Sequence, residues 1–162
     1  MKANTPLVDR LGDHLDAELM FKFFAAYSRF EFALKAAGYL KNGADAEPNL
    51  MSFGDAVEVP FRAARGCDPV LQIAVSFLCE DPPKKQKRDL SWAPVEAQGP
   101  VDGAKNVFDV VRRVRNNLFH GGKAQRQAAD GERDNRLVMN SLVVLDRALR
   151  MDNRVLDAFL TL

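Results

Sequence analysis

Six bulky apolar residues, Leu15, Leu19, Phe23, Tyr27, Phe30 and Leu34, recur along the N-terminal part of the chain at spacings of three and four. That spacing is the period of an α-helix with one apolar stripe. A stripe so rich in large side chains demands a buried neighbour, and the rest of the sequence supplies one of the same kind. No segment alternates apolar and polar residues as a half-buried strand would. The sequence therefore predicts an all-α fold, an up-and-down helical bundle of four to five helices in one domain spanning residues 1–162.

The first helix is expected to begin after Asp13 and to end near Gly38. Glu31 falls at the edge of its stripe, four residues after Tyr27. Its carboxylate reads as a locally hydrogen-bonded boundary group, with an accessory role in a site as the alternative. Residues 41–50 have turn composition. A short helix follows in the segment Phe53–Ala64, where Pro60 should end or kink it. A second short helix starts at Pro69, and Pro82-Pro83 forbid its continuation. The third major helix is expected from Asp102, its N-cap, through Val107, Val110, Val111, Val114 and Leu118 to a stop at Gly121-Gly122. A fourth begins around Glu132, breaks near Asp152-Asn153 and is followed by a last turn or two.

Residues 81–100 form a proline-rich basic loop between the second short helix and the third major one. It holds Lys84, Lys85, Lys87 and Arg88, with Trp92, the single tryptophan of the chain, close behind. The cations could meet phosphates and the indole could stack on a base. The plainer reading, which we prefer here, has Trp92 plugging the core.

The chain carries a net charge of +1, which argues against a general nucleic-acid coating protein, but its charges are clustered. Residues 1–60 lean acidic. A second basic group, Arg112, Arg113, Arg115, Lys123 and Arg126, makes a local anion site plausible. The longest apolar stretch, Val70–Cys79, is interrupted by Gln72 and Ser76, and neither a membrane span nor a secretory signal is read. Cys67 and Cys79 lack metal-ligand spacing and read as reduced thiols of a cytoplasmic protein. His14, near Asp13 and Asp16, reads as part of an exposed first turn, so neither a metal nor another cofactor is expected.

On the third major helix, Val107, Val111, Val114 and Leu118 share one side at about 100° per residue. Arg112, Arg113, Asn116 and His120 are expected on the other. Guanidinium groups match phosphate oxygens, and imidazole moves protons near neutral pH. Two consecutive asparagines, Asn116 and Asn117, are also unusual inside a helix.

The run Arg115-Asn116-Asn117-Leu118-Phe119-His120 resembles the HEPN superfamily, whose hallmark is an arginine, commonly followed by a polar residue, and then a histidine after four to six intervening residues. The resemblance implies a dimeric helical bundle and a metal-independent endoribonuclease with a toxin or antiphage role. Arg115, His120 and Asn116 would be catalytic, and Arg112, Arg113, Asn117 and Lys123 would bind RNA. Tyrosine is common two residues after the histidine in members paired with a nucleotidyltransferase antitoxin; here that position is Gly122.

In a straight helix, five steps set Arg115 and His120 about 140° apart. The helix must therefore fray after Phe119, or a homodimer with the motif helix near its interface must combine groups from both chains. The other reading is a non-catalytic dimeric module that binds RNA, a nucleotide or a protein partner. An antitoxin or regulatory protein is a candidate partner.

Overall fold

A computed structural model describes residues 15–119 and 128–161. Six helices account for most of them: α1 (Ala17–Ala36), α2 (Leu50–Cys67), α3 (Pro69–Glu80), α4 (Ala104–Phe119), α5 (Ala128–Leu149) and α6 (Asn153–Leu160). The fold is an all-α bundle, as the apolar periodicity predicts. The number of helices exceeds the expected four to five because the last turns form a helix of their own.

Helix starts follow local chemistry. Asp16, Asn49, Asp68 and Asp152 cap α1, α2, α3 and α6 by accepting a backbone N–H of the first turn, and Pro69 takes the first position of α3. At the end of α1, Gly38 adopts φ of +90°, the left-handed conformation that lets the chain turn out of the helix.

Two expectations are corrected. Helix α2 does not end at Pro60 but continues through it to Cys67; Pro60 lies on the exposed side of α2, where water can reach the carbonyl that it leaves unpaired. Helix α4 is not capped by Asp102, which pairs with Arg65 at 2.8 Å. Instead, Glu58 of α2 reaches across to accept the Ala104 N–H at 2.8 Å. The two helices approach closely there, because a Cβ built on Gly54 would stand 2.7 Å from the Lys105 Cα.

The most extensive packing joins α2 to α4, α3 to α5, and α1 to both α5 and α6. Phe30, Phe53, Phe61 and Phe108 meet at the centre, with neighbouring ring centroids 5.2 to 6.4 Å apart and one edge-to-face pair, Phe30 on Phe53.

The proline-rich segment contains a small hairpin that the sequence reading treats as plain loop. Strands β1 (Lys85–Gln86) and β2 (Trp92–Ala93) pair antiparallel, around a turn in which Leu90 takes φ of +66°. Strands of two residues carry no alternation for a sequence pattern to show.

Candidate functional site

Helix α4 carries a buried polar stripe as well as its apolar one. Asn106, Asp109 and Arg113 are all at most 6% exposed and recur at spacings of three and four, so they share one side of the helix. Each meets the 83–101 segment or a neighbour on the stripe. Asn106 accepts the Gln98 N–H and donates to the Val101 carbonyl. Arg113 donates to the Pro83 carbonyl at 3.3 Å, and one turn later Asn117 donates to the Lys84 carbonyl at 2.8 Å. These side chains satisfy main-chain groups of a segment with little secondary structure of its own.

The stripe gives two of the expected RNA-binding residues structural contacts. Arg113 is not on an open polar face: it lies beneath the hairpin, 3.3 Å from the Asp109 carboxylate, and burial lowers its pKa from the usual guanidinium value. Asn117, whose place inside a helix is unusual for its type, anchors the hairpin root. Arg112 is half-exposed and bonds Asp109 at 2.5 Å.

Two cavities adjoin on this side of the bundle. The first, about 290 Å³, is lined by Tyr27 and Glu31 of α1, by Arg112, Arg115 and Asn116 of α4, and by Lys41, Glu47 and Asn49 of the loop between α1 and α2. Within it Arg115 donates to the Asn116 side-chain carbonyl at 3.0 Å, covers the Tyr27 ring at 5.5 Å and lies 3.8 Å from the Glu31 carboxylate. Glu31 is thus an ion-pair partner across the cleft from Arg115, beyond the local bonding expected of it.

Tyr27 belongs to the apolar stripe, yet it also lines this cavity. The residue is 1% exposed, and the hydroxyl finds no hydrogen-bond partner among the described residues. Burial first, and then the negative charge of Glu31, push its pKa well above the usual phenol range. The group therefore stays neutral and able to donate. The sequence offers no signal for this, since a tyrosine on an apolar stripe reads as core.

The second cavity, about 450 Å³, lies between the hairpin and α4. It is lined by Lys85, Gln86, Trp92, Gln98, Asn117 and, shared with the first cavity, Met51, Arg112 and Asn116. Trp92 does not plug the core; it is half-buried in this wall.

Among the residues expected at the site, the structure brings Arg112, Arg115, Asn116 and Glu31 together and sets Arg113 and Asn117 under the hairpin. His120 and Lys123 lie outside the described residues, as do Arg126, His14 and the Gly121-Gly122 stop. Among the described residues, no group of three His, Cys, Asp or Glu side chains is placed to hold a metal ion, and no helix is long and apolar enough to cross a membrane. No protein-family model matches this chain, and neither a curated protein nor a solved structure matches it.

Proposed function

We propose that this chain is a metal-independent endoribonuclease of the HEPN type, acting as a toxin or antiphage factor in the cytoplasm. The observation that carries the reading is the placement of Arg115 and Asn116 side by side in a cleft, on a helix whose sequence leads directly into His120. A phosphate seated there would meet the Arg115 fork and the Asn116 amide, with Arg112 at the rim.

In this mechanism the ribose 2′-hydroxyl attacks the adjacent phosphorus. The 2′-oxygen to phosphorus bond forms and the bond from phosphorus to the 5′-oxygen breaks, leaving a 2′,3′-cyclic phosphate and a 5′-hydroxyl end. His120 takes the proton from the 2′-hydroxyl, water supplies one to the leaving 5′-oxygen, and Arg115 stabilises the charge that builds on the phosphorane. DNA lacks the attacking hydroxyl and should survive. The angular separation of Arg115 and His120 on a continuous helix favours a homodimer, with α4 near the interface and each cleft completed by the second chain. An antitoxin or regulatory protein would then act by covering the cleft.

The test is labelled RNA incubated with the protein in excess chelator. Fragments ending in cyclic phosphate are expected, and His120→Ala or Arg115→Ala should slow their release by on the order of 10²- to 10⁴-fold. Equal cleavage by the His120 variant would remove the assignment. RNA binding without fragments would leave the non-catalytic dimeric module as the function.

A further inference from the structure

The cavity between the hairpin and α4 has no part in the chemistry just described, yet its walls include groups that suit a planar polar ligand. One wall is the hairpin, where Trp92 pairs across the strands with Gln86. The other is α4, with Asn117 and the shared Arg112 and Asn116. At about 450 Å³ it falls in the range of small-molecule sites and is far larger than a single ion needs.

An indole face offers stacking to any base. Side-chain amides such as those of Gln86, Gln98 and Asn117 both donate and accept, as the edges of nucleobases require. Lys85 and Arg112 supply cations for the phosphates beside such a base. Because Met51, Arg112 and Asn116 line both cavities, a base held in one has its own phosphate beside the other.

We infer that this cavity is a nucleobase subsite, in which a base of the RNA stacks on Trp92 while its flanking phosphate sits in the Arg115 cleft. The inference rests on the ribonuclease reading, and it adds to that reading a residue that holds a base beside the cleaved bond. The hairpin is then part of the binding surface, held in place by Arg113 and Asn117 through the carbonyls of Pro83 and Lys84.

Trp92 is the single tryptophan of the chain and lines this cavity, so a ligand that enters it should change the fluorescence. The full-length protein is titrated with the four ribonucleoside monophosphates, with a hexaribonucleotide and with inorganic phosphate. Saturable quenching by at least one nucleotide, tighter for the hexamer, and none by phosphate is expected. Tighter binding of the free nucleotide than of the hexamer would mark a mononucleotide site and overturn the RNA subsite. Affinities of Trp92→Ala and Trp92→Phe are measured by equilibrium dialysis, with melting curves to establish that both fold. Loss of one stacked base should weaken binding roughly 5- to 150-fold in the alanine variant, while phenylalanine retains most of the affinity.

Should Trp92→Ala misfold, wild-type quenching and the phenylalanine variant carry the test. Absence of quenching by every nucleotide, or an alanine variant that folds and binds as tightly as wild type, overturns the subsite. Cleavage in chelator is scored separately. Cutting that depends on Arg115 without nucleotide quenching keeps the ribonuclease and rejects the subsite. Nucleotide binding that is lost in Trp92→Ala, without cutting by the wild type, keeps a base-binding cavity and rejects the nuclease.

Discussion

The guanidinium of Arg115 stands 3.8 Å from the carboxylate of Glu31, near enough for charge attraction and too far for a hydrogen bond. Both side chains are partly open to water, 36% and 26% exposed, so the pair contributes at most about 1 kcal/mol. Glu31 neutralises Arg115 more than it holds it. Glu31→Gln should therefore leave stability within about 1 kcal/mol of wild type and tighten RNA binding at low salt, an effect that fades as salt is added. Filter binding at two salt concentrations checks this; weaker binding by the variant would show that the carboxylate orients the guanidinium.

Asp109 and Arg113 form an ion pair beneath the hairpin, with Asp109 3% and Arg113 6% exposed. Removing one member strands a buried charge. Asp109→Ala should cost about 3–5 kcal/mol of stability, and the double change Asp109→Leu with Arg113→Met should recover part of that loss. Urea unfolding of the three proteins gives the comparison, and a single variant as stable as the double would contradict the buried-charge account.

Gly54 marks where α2 and α4 come closest. A methyl there would press on backbone, 2.7 Å from the Lys105 Cα, so the helices must part. Gly54→Ala is expected to lose about 1–3 kcal/mol, visible at roughly 2–4 °C of Tm for each kcal/mol in a protein of this size. An unchanged melting temperature would mean that the helices yield freely.

Asp152 caps α6 and accepts from Tyr39 at 2.7 Å and from Arg154. The Arg154 hydrogen bonds, aided by that of Tyr39, hold its carboxyl down at about 2, against an ordinary 3.8. A depressed carboxyl stabilises the fold fully above its unfolded value and loses that contribution as pH falls through the folded one. The stability gap between wild type and Asp152→Asn should thus be constant above about pH 4 and close between pH 4 and pH 2. Denaturation midpoints across that range measure it; a gap that persists at pH 2 would assign the effect to packing.

The two cysteines should separate in a thiol-labelling experiment. Cys67 is exposed, whereas burial, reinforced by the Asp102 charge, pushes the Cys79 thiol up to about 11, and its Sγ donates to the Val101 carbonyl. With a chromogenic disulfide at pH 8, Cys79 should react roughly 100-fold more slowly than Cys67, and the difference should vanish in denaturant.

Features set by nearby residues were legible in the sequence. The Phe23-Tyr27-Phe30-Leu34 stripe, Pro69 at a helix start and the break before Asn153 all follow from neighbours within a turn or two. Groups that act across the fold were not. Glu58 caps a helix 46 residues away, and nothing near it announces that role. Asn117 drew notice as an asparagine out of place, yet its nearest reason is the Lys84 carbonyl. Arg112, Arg115 and Asn116 could be selected by type and position, but their meeting with Tyr27 and Glu31 depends on how α1 lies against α4.

The anchoring of the hairpin on α4 has a consequence for how chains of this kind can diverge. Pro83 and Lys84, at its root, are gripped through their carbonyls by Arg113 and Asn117, a grip that depends on main-chain position and not on side-chain identity. Residues at the root can thus exchange type but not number. The turn around Leu90, whose side chain is 72% exposed, forms hydrogen bonds only within the hairpin among the described residues, so insertions and deletions will be tolerated there, altering the reach of the hairpin while its seat on the helix stays the same.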